Sequence, residues 1–148
     1  MAIDKIDREI LEILRVNARA TFKELGERVC LSANAVAERV RHLQEAGVIL
    51  GYHARVNLSL LELPLQACID IKLSPGTSAA SFEAGLHGIA GILEATLMTG
   101  SFDYVLRVAC RNQEALVNLT ERLRANGAVQ ETYTRMLLRS VCVNTRLE

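Results

Sequence analysis

The sequence predicts an α+β protein with two parts, a helical N-terminal part and a C-terminal part in which strands and helices alternate. Two observations predict this division. Apolar residues recur at helical spacing through the first 47 residues, whereas residues 65–73 alternate strictly between apolar and polar, as a half-buried strand does. With 148 residues, half of them hydrophobic and only 4% aromatic, the chain can form two small domains with aliphatic cores.

Two helices are predicted in the first 29 residues. The first, residues 4–16, has acidic residues at its start, where they suit the helix dipole. The second begins at a capping box in which the Thr21 hydroxyl bonds the Glu24 amide and the Glu24 carboxylate reaches back. The apolar stripes that we expect to face inward are Ile6, Ile10, Ile13 and Leu14 in the first helix, and Phe22, Leu25 and Val29 in the second.

A third helix follows after a turn of only two residues, Cys30 and Leu31. Ser32 is placed as its N-cap and Gly47 as the residue that ends it. Two helices joined this tightly, the second exposing Asn, Arg and His side chains, are typical of a DNA-reading helix-turn-helix. The inward stripe is Val36, Val40 and Leu43, and the outward face carries Asn34, Glu38, Arg41 and Glu45, flanked by Arg39 and His42.

The segment after Gly47 is rich in β-branched and apolar residues, with Gly51 as a turn point. It predicts a β-wing, so we expect a winged helix-turn-helix domain over residues 1–56. Residues 57–64 form the connection, which is not Gly/Ser-rich and therefore predicts a packed hinge.

The C-terminal domain, residues 65–148, is predicted to follow the order β-α-β-β-α-β of a ferredoxin-like fold. Its turn signals are Pro75-Gly76 after the first strand and a hairpin loop at residues 100–102. In such a fold both helices cover one face of the sheet, so we expect apolar residues on the other face and a second copy covering it. The predicted elements are strands at 65–73, 92–99, 103–110 and 129–143, a helix at 77–87 with Phe82, Leu86 and Ile89 inward, and a helix from Asn112 to Gly127 with Leu116, Leu119 and Leu123 inward.

Charge and cysteine usage narrow the function classes. The formal net charge is zero, and residues 28–55 show only a local bias of four arginines against two glutamates. This predicts weak DNA affinity for one copy and favours binding by several copies at once. The four cysteines, at positions 30, 68, 110 and 142, lack metal-ligand and CxxC spacing, so we expect reduced thiols and no cofactor. No signal sequence and no apolar run of about 18 residues is present, which predicts a soluble cytoplasmic protein.

These features together resemble the Lrp/AsnC family of feast/famine regulators. The resemblance rests on IDREIL (6–11), LSANAVAERVRHLQEAGVILGY (31–52) and TGSFDYVL (99–106), in that order along nearly the whole chain. It implies a DNA-binding domain, a ferredoxin-like (RAM-type) ligand-sensing domain, dimers through that second domain and often octamers built from four dimers. It also implies a free amino acid bound between dimers near the loop between the second and third strands. Two residues depart from the family pattern: Cys30 stands where Gly is common, and Ala33 where Pro is common.

The resemblance implies a left-handed backbone at Cys30, at a cost of about 1 kcal/mol for a residue with a side chain, with a slightly different turn as the alternative. A redox role for this thiol is the disfavoured alternative.

The DNA face is assigned on residue chemistry. Arg39 and Arg41 suit guanine edges or phosphates, and either can instead pair with a glutamate on the same helix. Asn34 and Ala35, near the helix N-terminus, are placed to meet base edges. For any one residue alone, a solvated charged face is the alternative. The predicted DNA-binding residues are Ser32, Asn34, Ala35, Glu38, Arg39, Arg41, His42 and Arg55.

The effector role is carried over from the resemblance to the loop after the second strand. Gly100 lets backbone amides approach a carboxylate, Asp103 can bind an ammonium group, and Tyr104 offers a flat wall. Ordinary hairpin-turn chemistry is the alternative for Gly100, Ser101 and Asp103. The predicted effector-binding residues are Met98, Thr99, Gly100, Ser101, Asp103, Tyr104, Thr132 and Thr134.

The sequence therefore predicts a transcriptional regulator that binds operator DNA and is tuned by a small effector, an amino acid by family resemblance. The alternative is an effector-independent DNA-organising protein of the same fold. An enzyme is disfavoured, because the histidines at positions 42, 53 and 87 lie apart and no nucleophile accompanies a base.

Overall fold

The computed structural model describes residues 2–125 and 127–141, and within them the chain divides into two compact units, one ending at Arg55 and one beginning at Val56. No helix in these residues is long and apolar enough to cross a membrane. The helices are α1 (Lys5–Val16), α2 (Phe22–Val29), α3 (Ala33–Glu45), α4 (Ala79–Leu86) and α5 (Gln113–Ala125), and the strands are β1 (Leu65–Leu73), β2 (Ile92–Leu97), β3 (Tyr104–Cys110) and β4 (Val129–Met136).

The helix starts of the N-terminal unit follow the sequence signals. The Thr21 hydroxyl accepts the Glu24 amide at 3.2 Å, and the Glu24 carboxylate accepts the Thr21 amide at 2.7 Å, so the capping box is confirmed. Ser32 caps α3 by accepting the Ala35 amide at 3.2 Å. A second capping box, between Asp4 and Asp7, begins α1 and was not predicted. These bonds satisfy amides that no helix carbonyl can reach.

The three N-terminal helices enclose an aliphatic core. Phe22 was predicted to face inward and is instead 46% exposed. It is the first helical residue of α2, so its side chain projects beyond the buried row that Leu25 and Val29 form one and two turns later. The buried core residues are Ile10, Leu25, Val29, Val36, Val40 and Leu43.

The turn between α2 and α3 is closely packed. Cys30 lies in the left-handed region at φ +57°, ψ +41°, as predicted, and it ends α2. A Cβ on Gly26 would stand 2.5 Å from the Leu31 carbonyl oxygen, so glycine is required for this approach. The turn therefore depends on backbone geometry at both positions.

The predicted β-wing is wrong. Residues 48–57, all of them described, contain no strand. The amides of Val48 and Ile49 both bond the Leu43 carbonyl, which ends α3, and the chain then runs unpaired until a 3-10 turn at Leu58–Leu61. A wing needs a second strand, and this segment has none to pair with; Leu50 is left 91% exposed. The N-terminal unit is a helix-turn-helix without a wing within the single chain.

The C-terminal unit has the predicted element order around an antiparallel sheet ordered β2-β3-β1-β4. The register sets Ile69 of β1 between Leu106 and Thr134. Both helices cover one face, because their apolar side chains share a single core with those of β1 and β3. That core includes Ala67, Ile69, Ile71, Phe82, Leu106, Val108, Leu116, Leu119 and Leu123.

The final strand is shorter than the predicted 129–143. It ends at Met136, with one further backbone bond from the Leu137 amide to the Gln66 carbonyl at 2.8 Å. Its partner strand begins at Leu65, so no partner remains for residues beyond this point. Residues 142 and 143, including Cys142, lie outside the described part of the chain.

The helix-free face of the sheet carries apolar residues, as expected, and charged residues as well. Side chains that alternate to this face include Cys68, Val105 and Tyr133. Between them lie two ion pairs, Asp70 with Arg135 at 2.7 Å and Glu94 with Arg107 at 3.6 Å. Opposite charges on adjacent strands compensate one another, so charged side chains are accommodated beside the apolar ones on this face.

Candidate DNA interface and effector loop

Helix α3 presents the predicted residues on the side opposite its buried stripe. Ser32, Asn34, Glu38, Arg41 and His42 are exposed, and Ala35 is half-buried. The tight turn and the Ser32 cap fix the orientation of α3 relative to α2 and leave this face exposed, which is the geometry that lets a second helix enter a major groove.

Arg41 is enclosed by two carboxylates of its own helix. Its guanidinium donates to Glu38 at 2.6 and 3.2 Å and to Glu45 at 2.5 Å. His42 shares Glu38 at 3.3 Å. The hydrogen bond from Arg41 holds the pKa of Glu38 below its usual value, and the same contacts raise the pKa of Arg41. The recognition face therefore carries an arginine that is already paired.

Arg39 has a different position from the one predicted. Its guanidinium donates to Asp4 at 2.7 Å and to Asp7 at 2.8 Å, across to the start of α1. The Asp7 carboxylate is largely buried, and this arginine compensates its charge. Arg39 joins α3 to α1, and the residue spacing within α3 could not show this because its partners lie more than 30 positions away.

Two exposed cations on α2, Lys23 and Arg28, complement the α3 face and were not predicted as site residues. Neither forms an ion pair within residues 2–125 and 127–141. The helix before a recognition helix crosses the DNA backbone, so cations on it are placed for phosphates. The sequence contained one signal for these two residues, because both lie outside the apolar stripe of the capped α2 helix. Arg55, predicted as a wing contact, is exposed at the end of the unpaired segment.

The loop between β2 and β3 is closed at its base and open at its tip. The Met98 amide donates to the Asp103 carbonyl at 2.8 Å, and the Asp103 amide donates to the Ile71 carbonyl at 2.8 Å. Met98, Thr99, Gly100 and Ser101 are all exposed. Gly100 has φ +121° with open space where a Cβ would stand, so its backbone is accessible.

Asp103 anchors the loop to β1. One carboxylate oxygen, Oδ2, accepts the Leu73 amide at 2.8 Å, and the other, Oδ1, holds the Lys72 ammonium at 3.3 Å. The Leu73 amide, and then Lys72, keep the pKa of Asp103 below its ordinary value. The ammonium of Lys72 occupies the position that was predicted for an effector's ammonium group.

Tyr104 does not line the loop. It is 1% exposed, its ring lies 4.8 Å from that of Phe82, and its hydroxyl donates to Glu83 at 2.6 Å. That hydrogen bond, with burial, raises the pKa of Tyr104 to about 12. The effector-wall role predicted for Tyr104 is wrong for the single chain, because its position in β3 faces the helices.

Thr132 and Thr134 lie on β4, two strands away from β3 and beyond β1. Thr132 stands in the row of Ile71 and Tyr104, and its hydroxyl accepts from Arg124. Adjacent strands are about 4.8 Å apart, so Thr132 and Thr134 lie roughly 10 Å from β3, the strand that follows the loop. One chain therefore does not bring all the predicted effector residues together. The described residues contain no group of His, Cys, Asp or Glu side chains able to hold a metal ion.

Comparison with protein families agrees with both units. Residues 3–44 match the AsnC-type helix-turn-helix domain, and residues 66–147 match the Lrp/AsnC ligand binding domain. Together the two matches cover most of the chain.

Curated relatives match over nearly their whole length. The transcriptional regulatory protein DoeX of Halomonas elongata is 32% identical over 144 residues, covering 95% of this chain and 91% of the relative. The leucine-responsive regulatory protein of Salmonella typhimurium is 34% identical over 148 residues, covering 98% and 90%.

Two solved structures share the fold along their full chains. A feast or famine regulatory protein from Mycobacterium tuberculosis, complexed with L-methionine, superposes with a TM-score of 0.88 at 32% identity, covering 96% of each chain. A transcriptional regulator from Neisseria meningitidis, also an L-methionine complex, gives 0.89 at 29% identity, covering 99% of this chain and 97% of its own.

Proposed function

The chain belongs to the Lrp/AsnC family of transcriptional regulators, with a DNA-binding helix-turn-helix domain and an amino-acid-binding domain, and on this premise we propose that it reads operator DNA sequence-specifically under the control of a small effector. The observation that supports this most is the α2–α3 pair. Its two-residue turn, glycine contact and Ser32 cap fix an exposed polar helix face in one orientation. A regulator of this kind acts where the chromosome is, so we place it in the cytoplasm.

The proposed DNA contacts divide by chemistry. Asn34, Ala35 and Arg41 meet base edges, with Glu38 available to accept from a cytosine amino group. Ser32, His42 and Arg55, together with Lys23 and Arg28, contact phosphates. Arg39 is left out of the base-reading set because its guanidinium holds Asp4 and Asp7.

The proposed effector is a free amino acid at the β2–β3 loop. Exposed amides of Thr99, Gly100 and Ser101 suit a carboxylate. Oδ1 of Asp103 binds the ammonium group in exchange for Lys72, while Oδ2 keeps the Leu73 amide and the loop shape. L-methionine in the two related structures supports this ligand class.

We further propose that the effector site is completed by other copies of the chain. Within one chain, β1 lies between β4, which carries Thr132 and Thr134, and β3, which follows the loop, so we expect a second copy to bring such side chains to the ligand. Dimers form through the helix-free sheet face, whose Asp70–Arg135 and Glu94–Arg107 pairs can exchange partners across a two-fold axis. Octamers of four dimers then present several weakly basic domains to repeated half-sites.

The DNA claim is tested by selecting duplexes from a randomised pool and measuring affinity for the enriched sequence against a scrambled duplex of the same composition. A regulator prefers the selected duplex by at least about a thousandfold at physiological salt. Equal affinity for both duplexes contradicts sequence-specific binding.

The effector claim is tested by a thermal-shift screen of the twenty amino acids. A ligand present at 100 times its Kd stabilises the protein by about 2.7 kcal/mol. Asp103→Asn retains the acceptor for Leu73 but loses the charge, and should weaken ligand affinity by tenfold or more. If no amino acid shifts the melting temperature or the assembly state, the alternative of an effector-independent DNA-organising protein is favoured.

A further inference from the structure

Both arginines of α3 form ion pairs with carboxylates in the free protein. Arg39 is held by two carboxylates of α1, and Arg41 by two carboxylates of α3 itself. In this completely described helix, no arginine is available to an approaching DNA without first leaving a carboxylate.

The two ion pairs differ in how far their carboxylates are buried. The Asp7 carboxylate beside Arg39 is largely buried, so its partner cannot leave without uncovering a buried charge. Glu38 and Glu45 are exposed, with 57% and 58% of their side-chain surfaces accessible, so Arg41 can leave them at low cost. Only the second pairing is reversible.

We propose that Glu38 and Glu45 limit the affinity of α3 for its DNA site, because they hold Arg41 away from non-specific DNA and must release it to the correct base pair. This inference rests on the proposed DNA-binding function and deepens it. A phosphate offers Arg41 no more than its carboxylates do, and brings both glutamates close to the negative DNA backbone. A guanine offers the O6 and N7 acceptors as a matched fork, and the freed Glu38 can accept from a neighbouring cytosine amino group.

The source of non-specific affinity is then separate from the source of specificity. Lys23 and Arg28 on α2 form no ion pair in the part of the chain that the structure describes, so they attract phosphates regardless of sequence. An exposed ion pair changes an equilibrium by about 1.4- to 5-fold, so each glutamate should contribute a factor in this range.

The test compares Glu45→Gln with Glu27→Gln. Both variants remove one negative charge from an exposed helical position of the same unit, but Glu27 lies on α2 and forms no ion pair within the described residues. Glu45 is chosen over Glu38 because Glu38 also contacts His42. Affinities are measured by fluorescence anisotropy with the full-length protein, using the duplex selected from the random pool and its scrambled counterpart at one salt concentration.

Because Arg41 leaves Glu45 only in the complex with the selected duplex, Glu45→Gln is expected to raise affinity for that duplex about 1.4- to 5-fold more than affinity for the scrambled duplex, so the specificity ratio rises by that factor. Glu27→Gln is expected to raise both affinities equally and leave the ratio unchanged. Arg41→Gln should weaken affinity for the selected duplex at least tenfold and affinity for the scrambled duplex less than twofold. An unchanged or lower ratio in Glu45→Gln, or an equal rise in Glu27→Gln, overturns the inference while leaving sequence-specific binding intact. If the wild-type protein shows no preference for any selected duplex, the proposed function fails as well, and that result is visible before any variant is measured.

Discussion

Replacing Cys30 with glycine should stabilise the helix-turn-helix unit. Cys30 carries a side chain at φ +57°, ψ +41°, a backbone region that costs an L-residue about 1–2 kcal/mol. Glycine adopts it freely but loses more conformational entropy on folding, about 0.5–1 kcal/mol. The net expectation is a gain of about 0.5–1 kcal/mol, which for a domain of this size corresponds to roughly 3–6 °C.

Hydrogen exchange measures this gain locally. The Leu31 amide donates to the Gly26 carbonyl at 3.0 Å across the turn, so its protection reports the opening of the α2–α3 pair. Peptides covering residues 22–43 should exchange about two- to fivefold more slowly in Cys30→Gly. Cys30→Ala is the matched control, since it removes the thiol but keeps the Cβ. Equal protection in the two variants would refute backbone strain as the cause.

Three other perturbations separate structural from functional residues. Arg39→Gln should destabilise the N-terminal unit by about 1–3 kcal/mol in chemical denaturation, while the affinity of the folded protein for the selected duplex changes less than twofold. A loss of affinity without a loss of stability would indicate instead that Arg39 contacts DNA. Tyr104→Phe should cost about 0.5–1.5 kcal/mol because the bond to Glu83 is lost, with amino-acid affinity unchanged by calorimetry; a lost ligand response would contradict its placement in the core. In acid, the melting temperature should stay constant above about pH 5 and fall below about pH 4. The folded-state pKa values of Asp4 and Glu24 lie below their ordinary 3.8 and 4.5, so the contribution of these carboxylates to stability is lost as they become protonated. Stability that rises on acidification would contradict those pKa directions.

Local signals predicted the helices and most strands well. Thr21, Ser32 and Asn112 each accept the amide three residues ahead, as their sequence context indicated. The left-handed backbone at Cys30 was expected from the family resemblance, because Gly is common at this position in the family. The capping bonds depend on neighbours within one helical turn, which the sequence displays directly.

Contacts between distant residues could not be predicted in the same way. Asp7 and Arg39 are 32 positions apart, and Leu73 and Asp103 are 30 apart, so nothing local showed that each pair is joined. The wing failed for a related reason: residues 48–57 have β propensity, but a strand exists only where a partner strand is available. Tyr104 was predicted to contact the ligand because of the family resemblance, and only the sheet register shows that its side chain faces the core.

Control by an effector means that an amino acid changes the affinity of this regulator for a specific DNA sequence. The decisive measurement titrates the full-length protein against the selected duplex with each of the twenty amino acids at millimolar concentration, with Asp103→Asn measured in parallel. We predict that at least one amino acid shifts the Kd fivefold or more in the wild-type protein and not in the variant. A Kd for the selected duplex that stays the same under all twenty amino acids would contradict the claim.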